Sequence, residues 1–184
     1  YETAEAAGAH APLRPEGRVL HTTQNRWREK TFLDAQGLPT APHRFVRSVD
    51  ELRAAVEALG SPVIAKTASW GYDGKGQLRM ETVDAADEGW RELGEQDLAV
   101  ERVVRFRCEA SMVGARGLDG NVALFPLTWN THERHILDIS AAPAPLDPAV
   151  ADRAAEITRA VLEGLGVVGV LCVEFFVTHE GELL

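Results

Sequence analysis

The sequence predicts a mixed α/β (α+β) protein built from two lobes. Its 184 residues are enough for one sizeable core or for two small lobes that share a cleft. Up to about residue 104, amphipathic helices alternate with short apolar strands, whereas paired strands and one long helix follow. We therefore place the lobe boundary at residues 101–105. Residues 18–104 form the first lobe, 105–184 form the second, and 1–17 are expected to be the end of a preceding domain.

Composition excludes several classes of function. The formal net charge of −9 argues against binding along a nucleic-acid backbone, although a few focused cations still suffice for a nucleotide. Cys108 and Cys172 form no cluster of the kind that holds a metal, so we expect reduced thiols. No apolar stretch reaches the ~20 residues that span a bilayer, and the first residues do not resemble a signal peptide. We expect a cytoplasmic protein without membrane or nucleic-acid partners.

The first lobe contains recognisable helix and strand signals. A helix is expected from Thr22 or Thr23 through Gln36, with a threonine as its N-cap and Gly37 as its stop. A second helix should begin after Ser48 and end at Gly60, and a third covers residues 84–94. The strands are expected at 43–47, 61–66, 77–81 and 97–103.

The second lobe is expected to be dominated by hairpins. Residues 107–117 and 121–130 should pair around the turn dipeptide Asp119-Gly120, and residues 136–145 continue in an extended conformation. A long amphipathic helix covers 148–166 and stops at Gly166. The strand 167–178 and the final residues 181–184 form the last hairpin.

A glycine-rich loop, GYDGKGQ at residues 71–77, lies between two predicted strands. That position excludes a Walker A loop and a dinucleotide-binding turn, since both lead into a helix. A plain hairpin turn and a flap that offers backbone N–H groups to a triphosphate both remain open. Lys66 favours the flap. It ends an apolar strand just before the loop, where an unpaired ammonium group would be costly and a phosphate would relieve the cost.

Five blocks in this order carry a family resemblance: VIAK, GYDGKGQ, AVERVVRFRCEASMVGARGLDG, FPLTWNTH and GVVGVLCVEFFVT. Together they resemble the N5-carboxyaminoimidazole ribonucleotide synthase family of the ATP-grasp superfamily, from about Pro15 to the last residue. The Tyr-Asp pair in the loop and the GARGLDG turn separate that family from biotin carboxylase and from formate-dependent ribonucleotide transformylase. The resemblance implies an ATP-grasp fold, two lobes with mostly antiparallel sheets that enclose a nucleotide cleft.

The resemblance also implies site residues. Lys66 would contact the α/β-phosphates, the loop would form the flap, backbone groups at 101–104 would read the adenine edge, and Glu109 would hold the ribose. The acceptor ribonucleotide would contact Tyr72 and Lys75, and Glu174 would bind Mg²⁺. The full set implied for ATP is Arg26, Lys66, Gly71, Tyr72, Asp73, Gly74, Lys75, Gly76, Gln77, Glu101, Arg102, Val103, Val104, Glu109 and His132.

Simpler explanations stand beside these roles. Arg26 could be a solvated cation on a helix, His132 an ordinary surface histidine, and Glu101 and Glu109 surface ion pairs with the nearby Arg102, Arg105 and Arg107. Glu174 is the most informative carboxylate, because apolar neighbours on both sides predict its burial and a buried carboxylate needs a cation. A strand glutamate that points into solvent is the alternative.

The implied activity is ATP-dependent carboxylation of 5-aminoimidazole ribonucleotide with bicarbonate through carboxyphosphate, in purine biosynthesis, by a protein expected to be a homodimer at full length. The catalytic residues and the second magnesium ligand are expected beyond Leu184, so this piece alone should bind ATP and Mg²⁺ without turnover. Trp70 and His135 stand where the family commonly has glycine. Another ATP-grasp carboxylate–amine ligase and a non-catalytic nucleotide-binding module are the alternatives.

Overall fold

The computed structural model describes residues 2–69 and 75–184. Its helices are α1 (Glu2–Gly8), α2 (Gly17–Thr23), α3 (Arg26–Ala35), α4 (Val49–Leu59), α5 (Ala86–Glu92) and α6 (Pro148–Gly164), with a short 3₁₀ turn at Val83–Ala85. Its strands are β1 (His43–Val46), β2 (Val63–Thr67), β3 (Gln77–Met80), β4 (Leu98–Arg102), β5 (Phe106–Arg116), β6 (Val122–Leu124), β7 (Thr128–Glu133), β8 (Ile136–Ala141) and β9 (Gly169–Thr178). No helix in the described ranges is long and apolar enough to cross a membrane.

The first sheet has four antiparallel strands in the order β1-β4-β2-β3. One face packs its apolar side chains, Val63 and Ala65 of β2 and Leu98 and Val100 of β4 among them, into a core that also holds buried residues of α4. Because side chains alternate along a strand, Lys66 and Glu101 point to the opposite face. The first sheet thus presents charged groups away from its own core.

The second sheet is also antiparallel, in the order β6-β5-β7-β8, with β9 paired along the other edge of β5. Its core contains Ala110 and Met112 of β5 and Phe175 and Val177 of β9, and it also holds buried residues of α6. The alternate positions of β5 and β9 therefore face away from this core. Ser111 and Glu174 are direct cross-strand partners on that second face.

The predicted helix start at Thr22 or Thr23 is wrong. Both threonines lie in α2, and Thr22 donates its hydroxyl to the Arg18 carbonyl oxygen at 3.2 Å. The helix that follows is capped by Asn25, whose side-chain oxygen accepts from the backbone N–H groups of Trp27 and Arg28, both at 3.1 Å. An asparagine in extended backbone geometry is a strong N-cap, so the chain breaks one turn later than predicted.

The prediction of one strand over residues 121–130 is also wrong. The structure has two short strands, β6 and β7, which pair with different parts of β5. Pro126 lies between them and lacks the N–H group that a continuous ladder requires. The next strand, β8, ends at Ala141 rather than continuing to residue 145.

Several local predictions are confirmed. The Ser48 hydroxyl accepts from the Glu51 backbone N–H at 3.2 Å and caps α4. Gly37, Gly60 and Gly166, the predicted stops, all have positive φ angles, which glycine adopts at little cost. The last hairpin also forms, since the backbones of Phe176 and Leu184 exchange two hydrogen bonds of 3.0 Å.

Candidate functional site

A cavity of about 270 Å³ lies between the two sheets. Its first wall comes from α3 and the charged face of the first sheet, and its second wall from β5 and β9. The residues that line it are Arg26, Glu29, Lys30, Leu33, Pro39, Thr40, Ala41, Lys66, Glu101, Glu109, Ile157, Val173, Glu174, Phe175, Phe176 and Leu184. The fold therefore brings together Lys66, Glu101, Glu109 and Glu174, which are distant in sequence.

The centre of the first wall is a buried carboxylate held between two lysines. Lys66 Nζ lies 2.7 Å from Glu101 Oε2, and Lys30 Nζ lies 3.1 Å from Glu101 Oε1. The Glu101 side chain is only 9% exposed, and those of Lys30 and Lys66 are 12% and 18% exposed. The suggestion that Glu101 is a surface ion pair with neighbouring arginines is therefore wrong. We call Lys30, Glu101 and Lys66 the lysine–glutamate triad.

The triad keeps Glu101 ionised. Burial on its own would raise the pKa of the Glu101 carboxyl, but the charges and hydrogen bonds of Lys66 and Lys30 hold that pKa below its ordinary value. The ammonium group of Lys66 is not unpaired, as the sequence had suggested, because Glu101 compensates its charge. Lys66 is thus paired within the protein.

Arg26 and Glu29 complete the helical side of the first wall. Arg26 is partly buried and donates from Nη1 to the Thr67 carbonyl oxygen at 2.7 Å, so it is not a solvated surface cation. Its backbone N–H donates to Ala68, which ties the start of α3 to the end of β2. Burial raises the pKa of the Glu29 carboxyl, and the nearby charges of Lys30 and Arg26 offset this only in part.

The second wall carries more open carboxylates. Glu109 Oε2 lies 3.1 Å from His132 Nδ1, with the two side chains 33% and 23% exposed. The His132 Nδ1 atom is buried and makes no hydrogen bond to any of the described residues, Glu109 included. Beside it, the Asn130 amide donates to the Ser111 hydroxyl at 2.9 Å and accepts from Ser140 at 2.9 Å. Glu109 and His132, each predicted from a different motif, thus meet at one point.

The predicted burial of Glu174 is wrong. Glu174 is an exposed residue, because it lies on the face of β9 opposite the α6 core, while its neighbours Val173 and Phe175 pack inward. The apolar run that predicted burial describes only one face of the strand. Glu174 nevertheless lines the same cavity as Lys66, so its position agrees with the expected site although its burial does not.

Comparison with known proteins assigns the family. A family model described as the ATP-grasp domain matches residues 31–184. The chain belongs to the ATP-grasp family. The N5-carboxyaminoimidazole ribonucleotide synthase of Brucella melitensis is 39% identical over 172 residues, which are 92% of this chain and 48% of that protein. The chain spans about half the length of the curated relatives it matches.

Solved structures agree with this assignment. The N5-carboxyaminoimidazole ribonucleotide synthetase of Thermus thermophilus superposes with a TM-score of 0.91 and 36% identity, over 100% of this chain and 49% of that one. The ADP complex of another N5-carboxyaminoimidazole ribonucleotide synthetase gives a TM-score of 0.91 and 32% identity, over 100% and 48%. The predicted ATP-grasp fold and the resemblance to the synthase family are both confirmed.

The residues of the predicted adenine hinge, 101–104, do not all line the same cavity. Glu101 lines the cavity, whereas Arg102 and Val103 line a separate cavity of about 400 Å³ together with Arg79 and Arg105. The backbone N–H groups of Arg102 and Val103 donate to Pro42 and Pro62. These two N–H groups are therefore engaged within the protein.

The predicted ATP-grasp flap lies mostly outside the described residues. Trp70, Gly71, Tyr72, Asp73 and Gly74 belong to that part, so the predictions made for them stay predictions. After them, Lys75 is exposed, Gly76 has a φ of 68°, and Gln77 pairs with Lys66 across the β2–β3 ladder. The Thr67 N–H also donates to the Gly76 carbonyl oxygen at 2.8 Å. The C-terminal end of the glycine-rich loop therefore lies beside Lys66.

Two site residues were not found from the sequence, Lys30 and Glu29. A signal existed, because Lys30 lies four residues after Arg26 and positions i and i+4 share one face of a helix. The other departure from the family, His135, has a φ of 67° in the two-residue turn between β7 and β8. That backbone favours glycine, in agreement with the expectation that the family commonly has glycine at this position.

Proposed function

We propose that this chain is the nucleotide-binding part of an ATP-dependent ligase that carboxylates 5-aminoimidazole ribonucleotide with bicarbonate. The product would be N5-carboxyaminoimidazole ribonucleotide, an intermediate of purine biosynthesis. The observation that carries the proposal is the cavity between the two sheets. It places Lys66 across from Glu174 in a chain whose relatives bear the synthase name.

The two walls suggest different roles toward ATP. Lys66 and Arg26 supply positive charge on the first wall, as the phosphates require. Glu109, paired with His132 on the second wall, offers carboxylate oxygens that can accept from ribose hydroxyls. The flap, Gly71–Gln77 with Tyr72 and Lys75, is proposed to cover the phosphates and the acceptor. These assignments follow the sequence resemblance, and the geometry is compatible with them.

The residues present fit a magnesium ion. No three His, Cys, Asp or Glu side chains form a metal cage within residues 2–69 and 75–184. Mg²⁺ does not need such a cage, since it commonly binds one or two carboxylates together with phosphate and water oxygens. Glu174 would hold it, and Glu109 lies on the same wall. When bound, the ion would neutralise charge on the phosphates.

The proposed reaction has two group transfers. A bicarbonate oxygen attacks the γ-phosphorus of ATP, the bond to the β-bridging oxygen breaks, and ADP leaves with carboxyphosphate formed. The exocyclic amine of the ribonucleotide then attacks the carboxyl carbon, the bond from that carbon to the phosphate oxygen breaks, inorganic phosphate leaves, and the nitrogen loses a proton. This chain's part is to bind and orient ATP and to exclude water, because carboxyphosphate hydrolyses readily.

The test is acceptor-dependent ATP hydrolysis by the complete protein. Phosphate release is measured with ATP and Mg²⁺ alone, with bicarbonate, with 5-aminoimidazole ribonucleotide, and with both. We expect strong release only with both, and a carboxylated product. Stimulation by a different amine instead would identify another ATP-grasp ligase. Nucleotide binding without any stimulated hydrolysis would favour a non-catalytic module.

The remaining expectations belong to the same proposal. A homodimer is expected for the complete protein and is checked by sedimentation or light scattering. A cytoplasmic location fits a purine-biosynthetic enzyme and is checked by fractionation.

A further inference from the structure

The lysine–glutamate triad poses a problem for the proposed role of Lys66. Lys66 donates to Glu101 at 2.7 Å. If Lys66 moves to a nucleotide phosphate, Glu101 Oε2 loses its partner, while the side chain stays 9% exposed. A buried carboxylate without a cation is strongly disfavoured. Some other group must therefore compensate Glu101 during binding.

Lys30 is placed to do this. Its Nζ lies 3.1 Å from the other carboxylate oxygen, Oε1, so the two lysines do not compete for one atom. Lys30 projects from α3, which is bonded to the first sheet through other residues. The Asn25 cap, the Arg26 bond to Thr67 and the Trp27 Nε1 bond to the Leu98 carbonyl oxygen at 2.9 Å hold that helix against β2 and β4.

We propose that Lys30 is a positioning residue that keeps the Glu101 carboxylate ionised and in place while Lys66 exchanges Glu101 for a nucleotide phosphate. The inference rests on the proposed function, since it assumes that the cavity takes a nucleotide. The triad is then a carboxylate with one permanent cation and one exchangeable cation. Lys30 acts through Glu101 and Lys66 and touches no reacting atom.

The other charged groups near Glu101 are poorly suited to compensate its carboxylate after Lys66 departs. From α3, Arg26 and Glu29 also face the cavity, but the Arg26 guanidinium is bonded to Thr67 and Glu29 carries the wrong sign. From β1, the cross-strand neighbour His43 is paired with Asp34 at 3.1 Å. From the second wall, Glu109 and Glu174 are carboxylates. Among the described residues with a recorded contact to Glu101, the cation that remains after Lys66 departs is Lys30.

The test is the proton balance of nucleotide binding. MgADP is titrated into the wild-type chain and into Lys30→Met by calorimetry, in two buffers with very different ionisation enthalpies, at pH 6, 7 and 8. With Lys30 absent, departure of Lys66 should force Glu101 to take up a proton. We expect Lys30→Met to take up about one more proton per ADP bound than wild type does. The affinity of Lys30→Met for ADP should therefore fall, relative to wild type, by up to about tenfold for each unit by which the pH rises. The nucleotide's own protonation cancels in the difference.

Two variants serve as matched controls. Lys30→Arg keeps the positive charge and should restore the wild-type proton balance. The double variant Lys30→Met with Glu101→Gln has no carboxylate at position 101, so the additional proton should disappear if Glu101 is the group that takes it up. If Lys30→Met binds ADP more weakly but with the wild-type proton balance, Lys30 is only a structural residue and the proposal is wrong.

A measurement on the wild-type chain does not depend on the folding of any Lys30 variant. The ¹³C shift of the Glu101 carboxyl, assigned with Glu101→Gln, is followed from pH 5 to 8 with and without MgADP. We expect the ionised form throughout in both states. Protonation of Glu101 when ADP binds would overturn the role of Lys30. Failure of the folded wild-type chain to bind ADP would overturn the proposed nucleotide site itself, and the two failures are thereby distinguished.

Discussion

The two walls of the cavity differ in how far their charged side chains are buried. The first wall buries its charges, and Glu101 is 9% exposed between two lysines that are themselves mostly covered. The second wall leaves its carboxylates accessible: Glu109 is 33% exposed beside His132, and Glu174 is exposed on β9. The first wall therefore pairs its central carboxylate within the protein, whereas the second wall offers carboxylate oxygens to a ligand.

This difference predicts where a substitution affects the fold and where it affects only the ligand. Removing one member of a buried charge cluster leaves the others uncompensated, which costs folding free energy. Removing an exposed carboxylate costs little stability, because water already solvates it. The four predictions below test this contrast, beginning with the largest expected effect.

The largest effect should follow Glu101→Ala. This change leaves Lys30 and Lys66 in a poorly solvated site without their shared partner, and we expect a loss of about 3–5 kcal/mol in the free energy of unfolding. The matched control is Glu109→Ala on the second wall, with an expected loss below about 1 kcal/mol. Urea denaturation followed by circular dichroism measures both. Equal losses at the two positions would contradict the contrast between the walls.

The next effect concerns Lys66→Ala and nucleotide affinity. The change removes a charge-assisted contact to phosphate, worth about 1.5–3 kcal/mol, and should weaken ADP binding by roughly 10- to 150-fold. The weakening should be the same with and without Mg²⁺, since the lysine acts on the phosphate directly. Calorimetry on protein shown to be folded measures it. An unchanged affinity would remove Lys66 from the nucleotide site.

Glu174→Ala should separate metal binding from nucleotide binding. We expect a folding stability within about 0.5 kcal/mol of wild type, because Glu174 is exposed. The affinity for ADP should lose only its Mg²⁺-dependent part, and binding measured in the presence of a chelator should not change. A loss of affinity in the chelator as well would mean that Glu174 does not act through the metal.

Much of the fold could be predicted because local signals decide it. The Ser48 cap, the glycine stops at Gly60 and Gly166 and the long amphipathic α6 depend on neighbouring residues alone. The errors arose where two local signals compete. Thr22 and Asn25 are both residue types that commonly cap helices. Only the observed hydrogen bond from the Thr22 hydroxyl to the Arg18 carbonyl oxygen shows that Thr22 lies inside the preceding helix.

The site was harder to predict because its chemistry depends on pairing across strands and helices. Lys66 and Glu174 were found from their motifs, but the contact of Glu101 with Lys66 joins residues 35 apart in sequence. Lys30 had no motif at all, since a lysine on an amphipathic helix is ordinary. The burial of Glu174 was mispredicted because an apolar run does not show which face of the strand packs against a helix.

The smallest expected effect concerns Glu29, whose pKa is shifted in the opposite direction to that of Glu101 on the same wall. Burial raises the pKa of the Glu29 carboxyl above its ordinary value of 4.5, whereas the two lysines lower that of Glu101. A carboxyl whose pKa is raised in the folded state binds its proton more tightly there than in the unfolded chain. Stability therefore falls as pH rises from the ordinary pKa through the folded-state pKa. Glu101 has the opposite effect, since its contribution is lost as the pH falls.

Glu29→Gln should consequently stabilise the chain only where Glu29 would be ionised. We expect the melting temperature of the variant to equal that of wild type near pH 4 and to exceed it modestly at pH 7–8, because glutamine never has to hold a charge in this site. Glu57→Gln, at an exposed position on α4, is the control and should show no such dependence. Thermal melts between pH 4 and 8 measure the difference. A stabilisation that is the same at every pH would have another origin, and a destabilisation at neutral pH would mean that ionised Glu29 is needed by its cationic neighbours.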